Sequence, residues 1–99
     1  MKYVLANEYP NFEVIAVDNG SYDGSAQYLE DTSSQTEKLR VVLNPRNAGP
    51  AAARNQGARI ANGKLLAFLD NDTRPNGKWL AYGCRAFEDP QVGAVQCKI

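Results

Sequence analysis

Three aspartates and one arginine stand where this chain could do chemistry. Residues 64–75, KLLAFLDNDTRP, carry five apolar residues in a row straight into Asp70-Asn71-Asp72, and Thr73 and Pro75 then stop any regular element. The stretch reads as a buried strand whose end delivers carboxylates to a surface edge. A carboxylate pair there does nothing for a core, but it suits a hard divalent cation bound together with phosphate oxygens. With one residue between them, Asp70 and Asp72 can reach one locus. One can ligate the metal while the other holds a ribose hydroxyl or a metal-bound water. The same Asp-Asn-Asp-Thr-x-Pro sequence is equally good turn chemistry and needs no ligand for that.

Two further stretches have the same character. In VDNGSYDGS, residues 17–25, Asp18 follows an apolar run and is placed to accept hydrogen bonds from a base or a ribose. Gly20 and Gly24 permit close backbone approach and unusual dihedrals. A capped strand-to-helix loop accounts fully for Asp23 and Ser25 but less well for Asp18, because a buried strand gains nothing by ending in a carboxylate. In NAGPAAARN, residues 47–55, Gly49-Pro50 opens a helix whose amino end can face an anion, and Arg54 lies one turn in, within reach of a diphosphate or a base. A surface ion pair would explain Arg54 as well, and a loop tether Asn55. No glycine-rich stretch ends in Gly-Lys-Ser or Gly-Lys-Thr, and no GxGxxG occurs.

The elements that must position these residues follow from hydrophobic periodicity and its punctuation. Residues 2–8 read as the last turns of a helix, ended by Pro10. Residues 12–17, FEVIAV, read as a strand buried on both faces. Asp23 caps a helix that carries Ala26, Tyr28 and Leu29 inward, and 31–36 is polar loop. Residues 39–43 form a second strand, closed by Asn44-Pro45. The alanine-rich run 49–61 is a helix lying close on the sheet, with Gly63 just past its end. Residues 64–70 are the third strand. A helix runs from Asn76 or Gly77 through Trp79, Leu80, Cys84 and Phe87, and 92–97 is a last strand. The expectation is an α/β fold: a mostly parallel sheet of about four strands with helices on both faces. Ligands of such sheets sit outside the carboxyl ends of the strands, where Asp18, Asn44 and Asp70 would fall together.

Bulk composition narrows the classes. Ninety-nine residues suffice for one domain, with 43% hydrophobic and 22% charged residues, as in ordinary globular chains. The formal net charge is zero, which argues against nucleic acid as a partner. No apolar run approaches the roughly 18 residues of a membrane span, and no signal-peptide pattern opens the chain. There is no histidine, which removes Ser-His and Cys-His nucleophilic chemistry. Cys84 and Cys97 have no metal-ligand spacing and read as buried thiols, compatible with a reducing, cytoplasmic setting.

Together and in this order, YPNFEVI, VDNGSYDGS, NPRNAGPAAARNQGARIANGKLLAFLDNDT, Pro75 and Trp79-Leu80 resemble family 2 glycosyltransferases of the GT-A, Rossmann-like fold. The similarity runs over roughly residues 9–95, and the Asp-Asn-Gly-Ser and Asp-Asn-Asp forms look like the rhamnosyltransferase-like branch. The resemblance implies transfer of a sugar from a nucleotide-diphospho-sugar donor to a saccharide or lipid-linked acceptor, with inversion, as in a hexosyltransferase of cell-wall or polysaccharide biosynthesis. It implies Mg2+ or Mn2+ as cofactor. Asp18, Asn19, Gly20, Arg54 and Asp70 are then the nucleotide-binding set, and Asp72 with Asp70 the metal set.

The sequence departs from the family in two ways. The family's opening strand is expected before residue 1, and the acceptor half, which supplies the general base, after Ile99. Glu88 and Asp89 do not match that base and read as solvated helix-end acids. The expectation is therefore one partial GT-A domain over 1–99 with no catalytic residue of its own and no transfer by the chain alone. The parent protein is expected in the cytoplasm, at the inner face of the membrane. Two other readings remain: a non-catalytic nucleotide- or metal-binding α/β module, and a structural module that forms homo-oligomers through exposed sheet edges.

Overall fold

The structure is a computed structural model that describes residues 5–21, 23–47, 49–69, 77–89 and 91. The chain forms two compact units, one of Phe12–Phe68 and one of Met1–Asn11 with Leu69–Ile99. The first contains β1 (Val14–Asn19), α1 (Ser25–Ser33), β2 (Leu39–Asn44) and α2 (Pro50–Ile60). The second contains α3 (Trp79–Ala86).

In the larger unit β1 and β2 pair in parallel, from Val14 opposite Leu39 to Asn19 opposite Asn44. Parallel neighbours need a crossover, and α1 supplies it, packing mainly on β2. The α/β expectation holds, and its sheet has two strands among the described residues. The first strand starts two residues later than the apolar run suggests and ends two residues later, at Asn19. The ladder explains the shift. The Val14 N–H donates to the Lys38 carbonyl at 2.7 Å, while Phe12 lies outside the ladder under the Lys38 ammonium, 4.5 Å from its ring centre.

Helix α1 begins after Gly24, whose φ of 87° suits glycine, and Asp23 receives the first-turn N–H of Ser25 at 3.1 Å. The cap position therefore falls on Gly24, one residue beyond the expected Asp23. The helix also takes in residues 31–33, expected as loop. Tyr28 was expected inward and is exposed, because two positions beyond Ala26 on a helix is nearly the opposite face; Leu29, at i+3, shares the Ala26 side. Helix α2 matches its expected span to one residue. Its closest sheet contact is Gly57, where an added Cβ would lie 3.7 Å from Val17 Cγ2 and 3.8 Å from Ile15 Cγ2. Arg40 fastens its far end: Nη1 donates to the Ile60 carbonyl at 2.9 Å and pairs with Glu13 at 3.4 Å.

The core is thin. β1 is half-buried rather than buried on both faces, and Leu39, 4% exposed, is the one buried apolar side chain among the described residues. The expected third strand is the largest correction. Described residues 61–69 form neither helix nor strand, and Leu65, Leu66 and Phe68 are 45%, 50% and 56% exposed. An apolar run becomes a strand when a neighbouring strand accepts its backbone N–H groups and supplies its carbonyls with donors, and β1 and β2 pair only with each other among the described residues.

In the smaller unit α3 starts at Trp79, after a turn at Gly77 and Lys78, and ends at Ala86, before Phe87. The residue before it, Lys78, makes no side-chain cap bond. Buried Asn7 supplies one: its Oδ1 accepts the Leu80 N–H at 3.2 Å, and the Glu8 N–H donates to the Gly77 carbonyl at 2.7 Å. Of the expected 2–8 helix, residues 2–4 lie outside the described residues, Leu5 is helical, and Ala6, Asn7 and Glu8 are not, since Asn7 and Glu8 spend their hydrogen bonds on Leu80 and Gly77. The whole of the expected strand 92–97, Cys97 included, and of residues 70–76 lies outside the described residues. Cys84 is half-buried. A hydrogen bond with Cys84, followed by repulsion from its thiolate, raises the Tyr9 phenol above its ordinary range.

Candidate functional site

The strand ends carry the polar chemistry of the larger unit. Asp18, 9% exposed, is the penultimate residue of β1. Its Oδ1 accepts the Ser21 hydroxyl at 2.6 Å and its Oδ2 the Ser21 N–H at 3.2 Å. The carboxylate thus closes its own turn, while a carboxylate has about four acceptor positions in all. Between Asp18 and Ser21, Gly20 has φ 78°, and a Cβ there would meet Arg46 Cα, Arg46 C and Asn47 N at 3.1 Å each. Only glycine lets the loop after β1 press against the backbone of the loop after β2. The close backbone approach that Gly20 was expected to permit is made in the structure to the chain's own Arg46–Asn47 backbone.

Asn19 points to the other face from Asp18, as adjacent strand residues must. Its Nδ2 donates to Asn47 Oδ1 at 3.1 Å and to the Gly49 carbonyl at 3.1 Å. Its register partner Asn44 donates from Nδ2 to Asn19 Oδ1 at 3.2 Å. Asn44 also forms a reciprocal amide pair with Gln56 of α2, at 2.7 Å and 2.9 Å. Asn47 Oδ1 accepts the Gly49 N–H at 2.8 Å as well. Gly49, with φ 90° and ψ 161°, adopts a backbone conformation suited to glycine and turns the chain into α2 at Pro50. Four amide side chains therefore stitch both strand ends to the entry and the middle of α2. Neutral amides satisfy one another here without the desolvation cost of a charge. Among the described residues no buried side-chain polar atom lacks a partner.

The structure brings Asp18, Asn19, Gly20 and Asn44 to one sheet edge, with Gly49 at the entry to α2 beside them. Arg54 lies exposed on α2. Asp70 and Asp72 lie outside the described residues. Among the described residues no group of three or more acidic or cysteine side chains is arranged to hold a metal ion. The described edge offers one carboxylate, Asp18, and neutral amide oxygens. That is fewer charged ligands than a hard cation held by protein oxygens takes, so the described edge does not by itself make a metal site.

The family model for Glycosyl transferase family 2 matches residues 1–99. The chain belongs to this family. It is 38% identical over 94 residues to glycosyltransferase AglE of Haloferax volcanii, covering 93% of this chain and 31% of AglE. It is 38% identical over 71 residues to the putative teichuronic acid biosynthesis glycosyltransferase TuaG of Bacillus subtilis, covering 72% of the chain and 28% of TuaG. It is 42% identical over 60 residues to the succinoglycan biosynthesis protein ExoU of Rhizobium meliloti, covering 61% of the chain and 18% of ExoU. The chain spans about a third or less of the length of these relatives. No solved structure matches it.

For this family 2 glycosyltransferase chain, sequence reasoning found the strand-end positions and missed Gln56 and Gly57. A signal for Gln56 existed. It lies seven residues after Gly49, two helical turns on, so it shares the face that Gly49 turns toward the sheet. The expected close packing of α2 on the sheet rests on Gly57 as well as on the alanines.

Proposed function

We propose that this chain is the donor-binding part of an inverting glycosyltransferase: one partial GT-A domain that holds the nucleotide of a nucleotide-diphospho-sugar. The observation that carries the reading is the polar edge at the ends of β1 and β2, where buried Asp18 and the amino end of α2 are fastened side by side. Asp18 accepts hydrogen bonds from the base or ribose, and Arg54 stabilises the diphosphate as an exposed cation one turn into α2. Asp70 and Asp72 hold Mg2+ or Mn2+, which neutralises charge building on the leaving diphosphate. The whole protein transfers a hexose, in the manner of the rhamnosyltransferase-like branch, to a saccharide or lipid-linked acceptor. A general base outside these residues deprotonates the acceptor hydroxyl. The setting in this reading is the cytoplasmic face of the membrane.

Calorimetric titration with manganese and a panel of nucleotide-diphospho-sugars tests this reading. Saturable, manganese-dependent binding is expected, weakened at least tenfold by Asp18→Asn and made metal-independent by Asp72→Ala. Binding indifferent to both substitutions, or none, overturns it. The 99-residue chain by itself is expected to form no glycoside, and product with any acceptor would refute that part.

One observation favours a second reading as an assembly module. Leu65, Leu66 and Phe68 are exposed, and β1 and β2 pair only with each other among the described residues. Sedimentation velocity separates the two: a concentration-dependent dimer supports assembly, and a monomer that binds nucleotide supports the donor site.

A further inference from the structure

We infer that Asn44 and Gln56 are positioning residues whose reciprocal amide pair sets the geometry of the Asp18–Ser21 turn. The inference rests on the donor-site reading for its functional consequence, but its structural half stands by itself. Neither residue is adjacent to Asp18, and by register and pleat both lie on the Asn19 face. Their influence passes through one side chain. Asn44 uses one amide nitrogen on Gln56 Oε1 at 2.7 Å and on Asn19 Oδ1 at 3.2 Å, while Gln56 Nε2 donates back to Asn44 Oδ1 at 2.9 Å. The Gly49 carbonyl can only accept, so Asn19 turns its nitrogen to Gly49 and its oxygen to Asn44. Asn44 must then present nitrogen to Asn19, and Gln56 locks it in that orientation by closing the reciprocal pair. A flipped Asn44 would set oxygen against oxygen at Asn19 and break the chain of bonds.

The next residue along is Gly20, pressed on the Arg46–Asn47 backbone. Asn19 and Gly20 are the two residues between Asp18 and Ser21, so the depth at which the Asp18 carboxylate sits is fixed by how Asn19 is held. Side-chain hydrogen bonds in proteins run mostly to backbone or water, so a closed amide pair joining a strand to a helix is a specific device. Its information is orientational, and it orders the site before any ligand arrives.

The test uses the 99-residue chain, with two-dimensional NMR of the Gly20 and Ser21 backbone amides and titration of manganese with uridine, guanosine and deoxythymidine diphosphates. Gln56→Leu keeps approximate size and removes both bonds of the pair. Gln56→Glu keeps one, since its carboxylate accepts from Asn44 Nδ2 but cannot donate to Asn44 Oδ1. Expected are clear shifts at Gly20 and Ser21 in both variants and about tenfold weaker diphosphate binding in Gln56→Leu. The loss is expected to be smaller in Gln56→Glu, so the two variants grade with the number of bonds kept. A purely structural role would lower thermal stability without moving the Ser21 amide, and an unmoved Gly20 and Ser21 pair overturns the proposal. Should Gln56→Leu fail to fold, Gln56→Glu alone decides by the same resonances. If the unsubstituted chain binds no diphosphate, the donor-site reading fails, and the positioning role is still decided by those resonances.

Discussion

Two stretches of this chain have almost the same strand grammar and opposite fates. Residues 12–17, FEVIAV, contribute to β1, which is paired residue by residue with β2 and covered by Gly57 of α2. Residues 65–69, LLAFL, are equally apolar and carry no regular structure, with three of their large side chains about half exposed. The difference is partnership. A strand's backbone needs a neighbour to satisfy its N–H and C=O groups, and its side chains need a second layer. The first stretch has both within its own unit, supplied by β2 and by two helices that return to the sheet. Hydrophobicity permits a strand; pairing makes one.

That contrast can be broken by substitution, with the largest effects expected in the paired region. Leu39→Ala, at the one buried apolar side chain among the described residues, opposite Val14, should cost about 2–4 kcal/mol in urea-denaturation experiments. A cost below about 1 kcal/mol would mean that the sheet is not the stabilising centre. Gly20→Ala should cost about 2 kcal/mol, from a left-handed φ combined with three backbone contacts at 3.1 Å. Here the loss should come with displaced Arg46 and Asn47 amide resonances. Leu66→Asp, in the unpaired run, should change stability by less than about 0.5 kcal/mol, as for an exposed site. A large loss there would show that the run is packed in solution, and the comparison would fail.

The smallest effect concerns pH. The Ser25 hydroxyl, and next its backbone N–H, hold the Asp23 carboxyl below its usual range. A carboxyl with a lowered folded value contributes stability above its unfolded value, near 3.9, and loses it as pH falls through the folded one. Asp23→Asn should therefore flatten the acid limb of the stability curve by lowering stability slightly above about pH 5, and leave stability at pH values below the folded one nearly unchanged. An unaltered acid limb would show that the exposed turn is solvated rather than bonded.

Much of the larger unit was legible in the sequence. The strand–helix alternation, the Gly49-Pro50 helix start and the gathering of Asp18 and Asn44 at one edge all followed from local pattern, because each depends on neighbours along the chain. What was not legible depends on neighbours across it. Periodicity can place Gln56 on a helix face, but it does not say that Asn44 will be the residue waiting there. Nor can five apolar residues announce whether a partner strand exists. Gly20 was singled out for its freedom, while its Arg46–Asn47 neighbour was not legible, since a glycine signals close approach without naming what approaches. Asp70 and Asp72 remain sequence-based assignments, as the described residues stop at Leu69 and resume at Gly77.

The amide cluster also bears on how this protein ages. Asn19 is followed by glycine, the pair most prone to spontaneous loss of ammonia, in which the glycine nitrogen attacks the asparagine side-chain carbonyl and closes a five-membered ring. Asparagine is accordingly one of the thermolabile residue types. At Asn19 the leaving nitrogen is bonded to Asn47 and Gly49 and the oxygen to Asn44, so the side chain is not free to swing onto Gly20. Asn62-Gly63 is exposed, and its side chain has no such tether among the described bonds. On prolonged storage isoaspartate should collect at residue 62 and spare residue 19. The bonds that align the strand ends also serve as a chemical preservative for the residue next to Asp18.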